Sequence, residues 1–147
     1  MYNASDNNTQ KGKNLTFIVN NETYGIDIKY VRQIIGVQKI TIIPNQPKYL
    51  KGVINLRGEI VPVMDVSLRF GKDEIAFDDR TCFIVVDIDN TTVGLIVERV
   101  SEVIVLNDEN ISDPPDFNND MSNRFVRGIG KIGDEVYILL NSSELLK

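Results

Sequence analysis

The 147-residue chain contains no histidine and a single cysteine, Cys82. The first absence removes the usual general base, and with it most Ser/His/Asp and Cys/His catalytic arrangements. It also removes His-containing zinc sites, and one cysteine can build neither an internal disulfide nor a four-cysteine zinc site. The cysteine usage fits a reducing, cytoplasmic setting. No apolar run approaches the roughly 20 residues that span a bilayer, so direct membrane insertion is not expected. The opening stretch "MYNASDNNTQKGKN" has no apolar segment that could serve as a secretory signal, and its polar character predicts a disordered tail over residues 1–14. A net charge of −5 argues against nucleic acid as the main partner. Carboxylate or lysine chemistry remains open on composition alone.

Hydrophobic content is 42% and charged content 25%, ordinary values for a globular protein. At this length roughly 68–70% of the unfolded chain's surface can be buried. Short apolar runs separated by turn residues predict an all-β chain. Hairpins are expected where "LTFIV" and "TYGIDI" flank Asn20-Asn21-Glu22, and where "GVINL" and "EIVPVMDV" flank Arg57-Gly58. Two more are expected about Asp89-Asn90 and Gly133-Asp134.

The pattern occurs twice. "YGIDIKYVRQII" aligns with "VGLIVERVSEVI" at an offset of 69, and "GVINLRGEIVPVMD" with "GIGKIGDEVYILLN" at an offset of 76. The added length falls near the Pro- and Asn-rich "SDPPDFNNDMSNR". Two pseudo-repeated lobes, roughly 15–80 and 81–147, account for this, with exchange of strands between them left open. Apolar spacings of three and four predict a helical turn in "IKYVRQIIG", ended by Gly36, and another at Val100, Val103 and Ile104. A short terminal helix is expected over 142–147, after Asn141 and with Glu144 three residues on.

Few residues carry a chemical signal. Asp87, Asp89 and Glu98 fall at calcium-loop positions, but Thr92 stands where the sharp turn needs glycine, so a plain hairpin tip reads better. Cys82 has no histidine partner and reads as a strand-start thiol, and Asp78-Asp79 reads as solvated loop charge. Gly128-x-Gly130 lacks the third glycine of a phosphate loop. Gly58 has a reason to be in a two-residue bend, since glycine accepts positive φ. Arg57 has no such reason. Its planar five-donor fork suits carboxylates or carbonyls of a partner, and a solvated side chain is the alternative. Pro62 cannot donate to a ladder, so its strand should be an edge or bulged there.

The stretch "YLKGVINLRGEIVPVMDV" resembles the chemotaxis coupling-protein family (CheW). The resemblance runs in order through "YGIDIKYVRQIIG", "ITIIP", "VGLIVERVSEVIVL" and "GIGKIGDEVYILLN", covering residues 15–147. It implies two SH3-like five-stranded β-barrel lobes packed together, with short helical segments. It implies a non-enzymatic, cytoplasmic adaptor without cofactors, recruited to membrane-associated receptor arrays. The implied partners are chemoreceptor cytoplasmic tips and the regulatory domain of the histidine kinase CheA, with self-association in arrays a further option. The implied contact positions are Val31, Gln33, Gly52, Arg57, Gly58, Gly94, Val100 and Val103. Gln33 stands where the family often has glutamate, which puts a salt bridge there in question.

Overall fold

In two of the four hairpins, asparagine and aspartate adopt a positive-φ backbone that their chemistry allows. In the computed structural model, which describes residues 10–114 and 124–147, β1 (Lys13–Val19) turns into β2 (Glu22–Asp27). Asn20 and Asn21 sit there at φ +53° and +63°, as a two-residue turn of matching twist requires. The same pattern joins β6 (Cys82–Ile88) to β7 (Thr91–Val97), with Asp89 at +50° and Asn90 at +64°. β4 (Leu50–Leu56) and β5 (Glu59–Asp65) flank Arg57-Gly58, and β10 (Val126–Ile132) and β11 (Glu135–Leu140) flank Gly133-Asp134.

The chain is all-β with few helices. β3 (Val31–Gly36), β8 (Arg99–Val105) and the short β9 (Ile111–Ser112) complete the strands among the described residues. They form a six-stranded sheet, β8-β1-β2-β11-β10-β9, and a five-stranded sheet, β3-β6-β7-β5-β4. A cut at residue 80 therefore does not separate the sheets. β1 and β2 join the late strands β8 to β11, while β3, β4 and β5 join β6 and β7. A 3-10 turn at Ile28–Tyr30 carries the chain from one sheet to the other. One apolar core runs through both, including Phe17 and Ile26 from the first sheet and Phe83 and Leu95 from the second.

The duplication is visible in the pairing. β5 pairs parallel with β7 through Val63↔Gly94, and β11 pairs parallel with β2 through Leu139↔Gly25. These are the same positions at offsets of 76 and 69. The register also shifts just before Gly52 in one hairpin and just before Gly128 in the other. In the five-stranded sheet the chain leaving edge strand β3 returns along β4, where Thr41 and Val53 exchange backbone hydrogen bonds of 2.8 and 2.9 Å. The two flanks of the sheet are thereby linked, in keeping with a barrel.

Several expectations need correction. The segment "IKYVRQIIG" is not a helix but the 3-10 turn followed by β3, whose burial alternates from Val31 to Gly36. Val100, Val103 and Ile104 likewise lie on β8. β-branched residues fit a pleated surface better than a helix, and tertiary pairing decides. Lys13 and a buried Asn14 belong to β1, so no tail extends to residue 14. Residues 1–9 of that tail, and most of the Pro- and Asn-rich loop (115–123), lie outside the described residues. Pro62 is in an internal strand, yet β7 pairs with β5 only from Val63 onward. Val53, its partner on β4, turns its own N–H and C=O to Thr41. The missing N–H of Pro62 thus faces a stretch with no neighbouring strand. The terminal helix is α2 (Ser142–Leu145), while α1 (Val66–Arg69) follows β5. Asn141 does not cap α2 with its side chain, and Glu144 instead pairs with Arg124 and Lys147.

Candidate protein-binding surface

Both central residues of the β4–β5 turn have positive φ, Arg57 at +54° and Gly58 at +86°. Asn55 secures the turn by accepting a hydrogen bond from the Gly58 N–H at 2.8 Å. Glycine suits this backbone, but an arginine there costs about 1–2 kcal/mol of steric strain. Arg57 is exposed, and among the described residues its guanidinium forms no ion pair. Just beyond it Ile60 is 61% exposed, on the opposite side of the chain from buried Val61. The tip thus presents a cationic fork beside an apolar side chain.

Arg32 was not singled out by sequence, yet it is the most heavily bonded side chain nearby. Its Nε and Nη2 donate to the two carboxylate oxygens of Asp87 at 3.0 and 2.9 Å. Nη1 donates to Glu59 at 2.8 Å, and Nη2 also reaches the Thr92 hydroxyl at 3.1 Å. Thr92 in turn donates to Asp87 at 2.5 Å. The Thr92 hydroxyl first, with the Arg32 guanidinium adding to it, holds the Asp87 carboxyl below the usual range, against the opposing effect of burial. Asp87 is therefore engaged by Arg32 and Thr92, and Glu98 accepts from the Asn20 N–H at 2.6 Å, so two of the three carboxylates of the calcium spacing serve separate partners. The alternation of β3 turns Arg32 outward between half-buried Val31 and Gln33, a signal that period-two reading could have found.

The remaining expected positions divide by burial. Gly52 and Gly94 are buried. At Gly52, where φ is +143°, a Cβ would lie against the Thr41 carbonyl and 2.8 Å from Ile40. At Gly94 it would meet Val63 at 2.9 Å. Both are places of close backbone packing, with no side chain to offer a partner. Val31 and Val100 are half-buried and pack on the shared core, at equivalent positions of the repeat. Val103 is 49% exposed on β8, an edge strand. Between the sheets lies a cleft of about 660 Å³, lined by Ile18, Gly36, Arg80, Cys82, Arg99 and Val100 among others. Val103 is not on its lining, which mixes charged Asp79, Arg80 and Arg99 with apolar Ile18 and Val100. The expected residues are spread over both sheets. Val31, Gln33 and Arg57 belong to the five-stranded sheet, while Val100 and Val103 belong to the six-stranded one.

Other features have structural explanations. Asp65 is fully buried and accepts from the Leu68 N–H at 3.0 Å and the Ile75 N–H at 2.9 Å, holding α1 and the following loop. Asp78 accepts from the Arg80 N–H at 2.8 Å, and this bond first among its causes lowers the Asp78 carboxyl's pKa. Cys82 opens β6 and donates weakly to the Arg80 carbonyl. No group of three metal-ligating side chains is found among the described residues, and no helix there is long and apolar enough to cross a membrane.

Comparison with known proteins places these features. The family model for the CheW-like domain matches residues 13–147. The chain is 38% identical over 132 residues to the chemotaxis protein CheW of Klebsiella aerogenes, covering 90% of this chain and 80% of that one. It is 35% identical over 130 residues to the chemotaxis protein CheW of Rhizobium meliloti, covering 88% and 84%. The crystal structure of the scaffolding protein TtCheW from Thermoanaerobacter tengcongensis superposes with a TM-score of 0.82 at 36% identity, over 89% of each chain. Sequence, strand arrangement and family model agree, and the chain belongs to the CheW-like domain family of chemotaxis scaffolding proteins.

Proposed function

We propose that the chain is a non-enzymatic adaptor that couples transmembrane chemoreceptors to the histidine kinase CheA and so lets receptors control kinase activity. Arg57 carries this reading. A side chain held in a strained backbone, with no internal ion pair among the described residues, is best explained by an external acceptor. The kinase's regulatory domain and the helical tip of a receptor are the partners, bound in the cytoplasm at receptor arrays.

Several separate surfaces suit an adaptor better than one. The β4–β5 tip offers Arg57 and Ile60, and the equivalent β10–β11 tip offers Ile132 and Val136, which is 52% exposed. Edge strand β8 adds Val103 and Val105, against which a receptor helix can lay an apolar face. Each surface is small, so an array would gain strength from multivalent engagement, including contacts between copies of this chain.

The test is reconstitution with a receptor cytoplasmic fragment and the kinase. Arg57→Asp should keep the parent's fold by circular dichroism and lose most receptor-dependent kinase activation. A folded variant that couples as well as the parent overturns the role of Arg57.

A further inference from the structure

Arg32 stands on β3, one edge of the five-stranded sheet, and Glu59 opens β5, next to the opposite edge. Strands β6 and β7 lie between them in the sheet order. Their 2.8 Å ion pair therefore follows no strand ladder and spans the two strands that lie between. The same guanidinium grips Asp87 on β6 with two nitrogens and touches Thr92 on β7. One side chain thus ties four strands together at the end where the β4–β5 turn projects.

Glu59 is the first strand residue after the turn that holds Arg57 and Gly58. That turn has arginine in a backbone conformation arginine disfavours. Asn55 restrains it from the β4 side, and Glu59 restrains it from the β5 side. A lone exposed ion pair contributes little, but a bidentate arginine shared among several acceptors has defined geometry. Arg32 spends its donors inside this cluster, whereas Arg57 points outward.

We propose that Arg32 is a positioning residue for coupling: its clasp on Glu59 and Asp87 holds the hairpin so that Arg57 meets the partner in one geometry. Arg32 itself does not touch the partner. The inference rests on the adaptor reading for the partner's identity and on the clasp for everything else.

Two readouts test it on the full chain. One is amide order at Arg57 and Gly58 by nuclear magnetic relaxation, and the other is affinity for the CheA regulatory domain by calorimetry. Arg32→Ala and Glu59→Gln should each loosen those amides while the core amides stay ordered, and each should weaken binding roughly threefold or more. Arg32→Lys should fall between parent and Arg32→Ala, since one ammonium cannot serve all the acceptors. Arg32→Ala combined with Arg57→Ala should bind no more weakly than Arg57→Ala alone. Unchanged amide order in Arg32→Ala overturns the clasp. Parent-like binding by Glu59→Gln beside weak binding by Arg32→Ala overturns positioning in favour of direct contact, and so does an additive double variant. A parent chain that binds neither kinase domain nor receptor fragment overturns the adaptor reading and the coupling role together, while the amides still decide whether the clasp orders the hairpin.

Discussion

Val63 lies directly opposite Gly94 across the parallel β5–β7 pairing, and a Cβ on Gly94 would stand 2.9 Å from its Cγ1 methyl. Leu139 lies opposite Gly25 in the same way, at 3.0 Å from a Cβ there. The repeat thus conserves a close approach as well as a strand order. Gly94→Ala should destabilise the chain by about 1–3 kcal/mol, because the neighbour is a short, stiff valine. Gly25→Ala should cost less, since the end of a longer leucine can yield. Urea melts compare the two. Binding per folded molecule should survive Gly94→Ala, because Gly94 is buried and acts through packing.

Asp65 closes the "VMD" end of β5 by serving two backbone N–H groups from full burial. Asp65→Ala leaves both without their acceptor and should cost about 1–3 kcal/mol. Denaturant melts check this, and loss of ordered amide protection at Leu68 and Ile75 would locate the effect.

Tyr24 provides a pH test. Burial first, and then the nearby Glu22 charge, push its hydroxyl from 10.0 up to about 12. The folded state therefore favours the neutral phenol. The associated stability is fully present below pH 10 and is lost as the pH rises towards 12. Ultraviolet titration should lose a late-titrating tyrosine in Tyr24→Phe, while Tyr137, whose hydroxyl burial first and then the Glu102 and Glu135 charges also push up, keeps its own late component. That variant should also lose less stability across the same window than the parent.

Much of this architecture was legible in the sequence. Asn20-Asn21 and Asp89-Asn90 announce their hairpins because those residues tolerate positive φ. Glycines at matching offsets betray the duplication. Strand exchange was not legible, because periodicity sets which face a strand buries and not which strand it pairs with. β3 was misread as helix because Val31, Ile34 and Ile35 sit at spacings that a bulged strand also produces. The site was legible in part. Arg57 stood out for lacking a turn rationale, and its positive φ was not legible. The close packing at Gly52 and Gly94 was not legible, because the Thr41 carbonyl and Val63 that a Cβ would meet are distant in sequence or on another strand. Arg32 passed unnoticed because its partners lie 27 and 55 residues away, at Glu59 and Asp87.

The central claim is that Arg57 is kept for a partner at the expense of the turn. Arg57→Asn tests it most directly, because asparagine suits this backbone and removes the fork. Melts of the variant should show equal or higher stability, by up to about 1 kcal/mol. Its affinity for the receptor fragment or the kinase regulatory domain should fall roughly fivefold or more. An Arg57→Asn protein that is at least as stable and binds both partners like the parent would contradict the account.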